Sequence, residues 1–278
     1  MTRYFSRLGF GFCLALASTW TQAANIALII DDIGNKRQDA QAFALPSEVT
    51  FSILPHKPLS KTFSLRAEQQ QREVMLHIPM ESLTGRALGP GGITSDMYPE
   101  TIKQSLIDAL LTVPNAMGVS NHMGSKLTQL TLPMSVTMEF LQQRGLYFVD
   151  SRTTRFSKAE YIAKQKGVLS TKRNVFLDHV VSRKHIDKQF QRLLRLAKKY
   201  GQAVGIAHPY PQSMQYLREN LPQLAGQGIR LVPLSDLLHE QERIARLSKT
   251  PGSDKVYPFQ KSKRDSSEIL SAQDVALD

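Results

Sequence analysis

Cysteine is almost absent from this sequence, since Cys13 is the only one among 278 residues. It lies in an apolar N-terminal stretch that we expect to be removed, which leaves a mature chain without any thiol. Such a chain cannot form disulfides, bind a metal through thiolates or use a cysteine nucleophile. Any metal site must therefore be built from histidine, aspartate and glutamate side chains.

Long apolar runs are also missing, apart from one stretch near the N-terminus. Arg3 and Arg7 form a positive region around its start, the apolar part runs from Leu8 to Ala17, and Thr21-Gln22-Ala23 supplies small residues for a signal peptidase. The stretch is too short to span a bilayer stably, so residues 1–24 are predicted to be a signal peptide, with an uncleaved anchor as the alternative. We therefore expect a secreted, periplasmic protein with no stable membrane span after signal cleavage.

Acidic residues are outnumbered by basic ones, 24 against 35, which gives a net charge of +11. A basic surface can bind nucleic acid, but in an exported protein the expected partners are an anionic glycan, a wall polymer or a lipid surface. Because the charges are scattered along the chain, a role in solubility alone is an equal alternative. We predict no nucleic-acid partner, and the sequence leaves the oligomeric state open.

Short apolar runs alternate with helical patterns over residues 25–245. The run Ile26–Ile30 is continuous, as expected for a parallel strand covered on both faces. Further strands are predicted at Val49–Leu54, Glu73–Ile78, Ala116–Val119, Leu146–Val149, Val175–Leu177, Ala203–Ala207 and Ile229–Val232. Helices are predicted over Glu100–Leu111, Pro133–Arg144, Ile186–Tyr200, Ser213–Leu221 and Ser235–Leu247. The alternation predicts an α/β domain of the β/α barrel type over 25–245, followed by a disordered polar tail over 246–278.

Polar and ionisable residues follow most of the predicted strands, at the face where α/β barrels carry their reactive groups. The adjacent carboxylates of Asp31 and Asp32 repel each other unless a cation lies nearby. One aspartate with two neutral histidines, such as His77 and His122, is a recurring zinc set. Such a metal would lower the pKa of a water molecule and polarise a carbonyl oxygen, while the other aspartate stays free as a base. We predict a divalent metal, with zinc favoured over cobalt, nickel or manganese.

Each candidate also has a structural interpretation. Asp31 or Asp32 could cap a helix, and His77 or His122 could be a buried histidine whose hydrogen bonds are satisfied by the backbone. His208 precedes two prolines that fix its loop, so it too could be structural. Further candidates of either kind are Glu81 (ligand, base or surface residue) and Lys126, Arg152 and Arg155 (anion-binding or solvated). The histidines without supporting context are His56, His179, His185 and His239.

Six segments of the sequence, taken in chain order, resemble the divergent polysaccharide deacetylases, which are relatives of the NodB-homology carbohydrate esterases. The resemblance covers roughly residues 25–240. The matching segments are Ile29–Gly34, Val49–Pro55, Leu76–Glu81, Asn121–Ser125, Val149–Thr154 and Gly205–Pro211. The fold that this resemblance implies is a distorted, NodB-like β/α barrel of about seven strands.

The resemblance also implies catalytic roles. In the better-understood deacetylases a strand ends in two aspartates, of which the first is the catalytic base and the second a metal ligand. These roles fall on Asp31 and Asp32. A late strand ends in a histidine that acts as general acid, and His208 matches it. The arginine that steadies the base has no clear match, and Arg152 is the candidate for part of that role.

The ligand set departs from the pattern of the deacetylases at one position. Their His-x-x-x-His motif falls on His77 and Glu81, so the second histidine is replaced by glutamate. Either Glu81 substitutes for it or His122 completes the set. We favour His122, because Asn121-His122-Met123-Gly124-Ser125 is typical of a tight site loop and a neutral imidazole preserves the charge balance.

Three functions remain open at this point. The first is a metal-dependent hydrolase that removes acetyl groups from an N-acetylated envelope glycan, with a carbohydrate polymer as substrate. The second is a non-catalytic envelope binding or regulatory protein that keeps the deacetylase fold, which the departures at Glu81 and at the missing arginine favour. The third is a phosphoester hydrolase, which would usually need two metals and more carboxylates than the predicted site of this sequence offers.

Overall fold

The computed structural model describes residues 23–247. The predicted signal peptide (1–24) and the predicted tail (246–278) lie almost wholly outside the described residues, so both stay predictions. Strands of the described part are β1 Ala24–Ile33, β2 Thr50–Ile53, β3 Val74–Met80, β4 Ala116–Met123, β5 Tyr147–Asp150, β6 Ser170–Lys172, β7 Val175–Phe176, β8 Gln202–Ala207 and β9 Ile229–Leu231. Its α-helices are α1 Ser60–Gln69, α2 Pro99–Thr112, α3 Thr131–Gln143, α4 Ala159–Gln165, α5 Arg183–Tyr200, α6 Pro211–Asn220 and α7 Leu234–Leu247. Short 3-10 helices span Arg37–Ala44, Leu127–Gln129, Leu221–Gln223 and Ala225–Gln227.

All strand pairs of the sheet are parallel, and the strand order is β6-β5-β4-β3-β2-β1-β8-β7. The central strand β1 pairs with β8 along one edge, while β2 and β9 share its other edge. Within residues 23–247 the end strands β6 and β7 do not pair with each other, so the sheet forms an incomplete barrel. The predicted distorted β/α barrel is confirmed, with eight strands along this path instead of about seven.

Alternate residues of each strand point to opposite faces of the sheet. Ile26, Leu28 and Ile30 of β1 belong to the large core beneath the surrounding helices. Ala27 and Ile29 belong to a smaller core on the inner face, which α7 covers with Leu234, Leu237 and Leu238. Further along the strands, polar residues take over the inner row. Along β1, β3 and β8, an apolar inner residue is followed two positions later by a polar one on the same face. The pairs are Ile29 and Asp31, Met75 and His77, and Ile206 and His208.

Several elements differ from the sequence prediction. Strands β1, β3 and β4 are longer than predicted, so Asp32 and His122 lie within strands and not after them, whereas His77 already lay within the predicted strand Glu73–Ile78. Helix α6 begins at Pro211 and not at Ser213, whose hydroxyl donates to Asp178 Oδ2 at 2.6 Å instead of capping the helix. The predictions lacked α1, α4 and β6 altogether. None of the helices in residues 23–247 is apolar enough over a sufficient length to cross a membrane.

Candidate metal and active site

A β-bulge in β1 brings two consecutive aspartates to the same site. Between Ile30 and Ile33 the register with β2 shifts, because three steps along β1 match two along β2. Asp32 there has a φ of 62°, a left-handed conformation that is rare outside glycine. In a regular strand Asp31 and Asp32 would face opposite sides of the sheet, whereas the bulge lets both reach His77. Such strain is typical of functional sites.

Three side chains bring potential ligand atoms together at the end of the inner face. His122 Nδ1 lies 2.9 Å and His77 Nε2 lies 3.3 Å from Asp32 Oδ1. One ligand atom from each residue lies within 4.8 Å of the others. The side chain of His77 is almost fully buried, but those of His122 and Asp32 are 28% and 31% exposed. The cluster therefore opens to solvent on one side, as a site for a reacting molecule requires.

A divalent cation fits this cluster. The two imidazole nitrogens face one carboxylate oxygen, and their lone pairs would repel it unless a proton or a metal ion lay between them. Burial disfavours ionisation of Asp32, but hydrogen bonds from His122 and His77 hold the pKa of its carboxyl well below its usual range. Nearby, the buried Asp31 Oδ1 has no hydrogen-bond partner in the described part of the chain. One carboxylate with two imidazoles is a set that leaves positions open for water and substrate.

Two buried serines hold His77 from behind. His77 Nδ1 lies 2.7 Å from Ser120 Oγ on β4, which lies 2.7 Å from Ser52 Oγ on β2. If His77 Nε2 binds a cation, its Nδ1 carries the proton and donates to Ser120. The Ser120 hydroxyl can then donate to Ser52, and Ser52 in turn to the Asp31 carboxylate, whose pKa it lowers. In this chain of hydrogen bonds each group donates to the next, from His77 through Ser120 and Ser52 to Asp31.

Asp31 lies beside His77, with 3.7 Å between Asp31 Oδ2 and His77 Nε2. Its residue surface is only 3% exposed. Burial raises the pKa of Asp31, against the lowering effect of His77 and His208. A carboxylate with a raised pKa accepts a proton more readily than one with the usual pKa. Asp31 therefore has the chemistry of a general base.

His208 approaches from β8, on the other side of the Asp32 carboxylate. His208 Nε2 lies 3.8 Å from Asp32 Oδ2, and His208 Nδ1 lies 2.9 Å from Asp178 Oδ1. Asp178 Oδ2 accepts the His208 backbone N–H at 2.7 Å and the Ser213 hydroxyl. Burial opposes protonation of His208, but the hydrogen bond and charge of Asp178 outweigh it and raise the pKa to about 9. The raised pKa favours the protonated form of His208.

Glu81 has partners of its own, away from the three clustered residues. Its Oε1 accepts from Lys126 Nζ at 2.6 Å and its Oε2 from the Ser95 backbone N–H at 2.7 Å. Burial would raise the pKa of Glu81, but these hydrogen bonds and the charge of Lys126 lower it. Because both oxygens are occupied, Glu81 is suited to holding the loop after β3, and the Asp32 cluster is formed without it.

Arg152 contacts its own loop. The guanidinium lies 3.5 Å from the Ser157 and Arg155 carbonyl oxygens, and within residues 23–247 it makes no ion pair with Asp31. Asp150, which follows β5 directly, accepts the Arg152 backbone N–H and the Ser157 hydroxyl. The proposed steadying of the base by Arg152 thus has no contact that supports it.

The remaining histidines lie apart from the cluster. His179 Nδ1 and His185 Nε2 are 3.3 Å apart beyond β7, and His56 lies against the glycine-rich loop at Gly91. His239 lies on α7, which covers the opposite end of the barrel from Asp31. None of these four histidines contributes to the cluster of Asp32, His77 and His122.

A model of the divergent polysaccharide deacetylases matches residues 28–238. The chain belongs to this family. The resemblance inferred from the motifs is thereby confirmed, and the matched residues include Asp31, Asp32, His77, His122 and His208.

Two relatives are similar to this chain over most of their length. An uncharacterized protein of Haemophilus influenzae is 32% identical over 257 residues, which cover 90% of this chain and 91% of the relative. The uncharacterized protein YibQ of Escherichia coli K12 is 34% identical over 239 residues, 84% of this chain and 73% of the relative.

Solved structures are similar in fold. An uncharacterized protein from Agrobacterium tumefaciens C58 has a TM-score of 0.75 and 24% identity, over 79% of this chain and 91% of that one. The catalytic domain of a peptidoglycan N-acetylglucosamine deacetylase from Eubacterium rectale has a TM-score of 0.50 and 14% identity, over 76% and 89% of the two chains. At these identities the likeness supports the barrel fold, and residue roles must be argued from the site itself.

Proposed function

We propose that this protein is a zinc-dependent hydrolase that removes acetyl groups from an N-acetylated envelope glycan. The observation that carries the proposal is the convergence of Asp32, His77 and His122, with the buried carboxylate of Asp31 on one side and the imidazole of His208 on the other. A binding module has no need for a base and an acid on either side of a ligand cluster.

In this proposal Asp32, His77 and His122 hold the metal. When bound, zinc would lower the pKa of a water molecule and polarise the acetyl carbonyl. Asp31 accepts the proton of the attacking water through its unpaired Oδ1, while Ser52 fixes the carboxylate from behind. As the C–N bond breaks, His208 Nε2 donates a proton to the leaving nitrogen, and Asp178 stabilises the doubly protonated ring before transfer. The products are acetate and a free amine on the sugar.

The direct test is acetate release from N-acetylated oligosaccharides and peptidoglycan fragments by the zinc-supplied protein. Release that stops when a chelator is present, and resumes when zinc is restored, is the expected result. If the protein binds zinc yet releases no acetate from any of these glycans, the second function, an envelope binding protein, is the better account. The absence of an ion pair between Arg152 and Asp31 is the observation that favours this second function.

Replacing Asp178 should change the pH dependence of turnover. Activity needs protonated His208, so it falls as the pH rises through the pKa of that residue. In Asp178→Asn the carboxylate that raises this pKa is gone, so the alkaline limb of kcat should move to lower pH by about 1–2 units. The matched control is Ser213→Ala, which removes a neutral donor to Asp178 and should leave the limb within a few tenths of a unit. An unmoved limb in Asp178→Asn would rule out His208 as the titrating acid.

Replacing Ser120 should weaken zinc binding without unfolding the protein. Ser120→Ala removes the acceptor that orients His77, and loss of such an outer partner usually lowers metal affinity by about 10- to 100-fold. Competition with a chromophoric chelator measures this change. Ser170→Ala is a suitable control, because the Ser170 hydroxyl on β6 is buried and has no hydrogen-bond partner among the described residues. Equal zinc affinity in both variants would contradict the orienting role of Ser120.

A further inference from the structure

The outer face of α5 carries a continuous row of basic side chains. One side of this helix is buried against the sheet through residues such as Ile186, Phe190 and Leu193. On the opposite side, successive basic residues are spaced by four, four, three and four positions, which places them on one helix face. At about 1.5 Å per residue the row is roughly 22 Å long. We name it the α5 stripe: Lys184, Lys188, Arg192, Arg195 and Lys199.

The α5 stripe differs from helices α4 and α7 in its ion pairing. Helix α7 pairs its arginines with glutamates one turn away, and α4 pairs Lys164 with Glu160 in the same way. By contrast, in residues 23–247 no ion pair involves Lys184, Lys188, Arg192 or Arg195. The single acidic residue of α5, Asp187, accepts a hydrogen bond from the Tyr216 hydroxyl at 2.7 Å.

This arrangement destabilises the isolated helix. Like charges four residues apart on a helix repel each other, and the stripe contains three such neighbours: Lys184 with Lys188, Lys188 with Arg192, and Arg195 with Lys199. A surface that served solubility alone would mix both signs, as α7 does. The repulsion is relieved when the stripe meets an array of negative charges.

We propose that the α5 stripe docks the protein on the phosphates of an anionic phospholipid membrane. A helix surface is convex and offers no pocket for a single anion, whereas a row of this length on long side chains matches a flat array of phosphates. Attraction of basic residues to such a surface needs no apolar insertion. This inference is independent of the metal site and of the proposed catalysis.

Docking through α5 would also orient the site. Helix α5 follows β7, close to Asp178 at the site end of the sheet, and runs back to Gly201 just before β8 begins. The stripe therefore extends along the side of the barrel, from the site end to the opposite end. A protein docked in this way lies on its side, with the opening at His122 and Asp32 directed along the membrane and not covered by it.

Vesicle sedimentation with the full chain tests this proposal. The stripe variant is Lys188→Gln, Arg192→Gln and Arg195→Gln together, and the control variant is Lys61→Gln, Lys103→Gln and Lys164→Gln, which removes the same charge from α1, α2 and α4. Glutamine keeps the helix propensity of both variants. Residues 1–24 are present in every sample, so differences between variants report on the stripe.

The full chain should bind phosphatidylglycerol-containing vesicles at least ten-fold more tightly than pure phosphatidylcholine ones, and less tightly as salt increases. The stripe variant should lose roughly 30- to 100-fold in affinity for the anionic vesicles, and the control variant no more than about 3-fold. Equal losses in the two variants, or no preference of the unaltered chain for anionic vesicles, would overturn the proposal. Stripe-dependent binding of soluble polyphosphate without binding of vesicles would overturn it as well.

Discussion

Asp31→Asn should release acetate about 10²- to 10⁴-fold more slowly than the unaltered protein, while it binds zinc with similar affinity. Asparagine has nearly the same shape as aspartate but cannot take a proton from the attacking water. Asp31 lies next to the three proposed metal ligands but is not one of them. The loss of activity should therefore appear in kcat and leave the metal content unchanged. Steady-state acetate release and elemental analysis of the same preparation measure the two quantities.

The control for this variant is Asp150→Asn. Asp150 is also a buried aspartate at the end of a strand, but its carboxylate holds the Arg152 and Ser157 loop and makes no contact with the clustered residues. Its replacement should lower thermal stability and leave the turnover of the folded fraction nearly intact. If Asp31→Asn kept its full kcat, Asp31 would not be the base.

His122→Ala should lose both zinc and activity, whereas Glu81→Gln should keep both. The replacement of His122 removes an imidazole whose Nδ1 lies 2.9 Å from Asp32 Oδ1. The fall in affinity should exceed about 100-fold, because even outer partners of metal ligands contribute 10- to 100-fold. In Glu81→Gln only the ion pair with Lys126 is lost, with side chains 24% and 41% exposed, and such pairs contribute little. Chelator competition measures the zinc affinity of each variant.

The same pair of variants distinguishes the two ligand sets that the motif left open. If Glu81→Gln lost zinc while His122→Ala retained it, Glu81 would be the third ligand and the loop after β3 would have to rearrange around the metal. The hydrolase proposal would survive that outcome with a different ligand. Retention of zinc in both variants would place the metal elsewhere.

The fold was largely predictable because buried parallel strands have a strong sequence signal. Ile26–Ile30 is apolar throughout, since helices cover one face of β1 and the inner core covers the other. The elements missing from the prediction have weak signals. Strand β6 has only three residues, two of them hydroxyl-bearing, and α1 buries little more than Phe63 and Ala67 among its apolar residues.

The site was predictable in its residues but not in its geometry. Asp31, Asp32, His77, His122 and His208 were all named from the sequence, because ionisable residues next to apolar strands are conspicuous. The β-bulge that turns both aspartates to one side depends on the pairing of β1 with β2, which no local pattern reveals.

The supporting side chains depend on three-dimensional pairing as well. Ser120 meets His77 because the register of β3 and β4 sets these two residues opposite each other, and Ser52 follows from the neighbouring strand. Asp178 carried one available signal, since it comes directly after a predicted strand, as His208 does. Its contact with His208 spans 30 residues and required the fold.

Metal content of the purified protein, measured by elemental analysis after zinc is supplied and excess removed, tests the central claim most directly. The account predicts close to one zinc per chain, bound by Asp32, His77 and His122. A chain that holds no metal under these conditions would contradict the hydrolase proposal, because the converging imidazoles and carboxylates would then have no cation to bind.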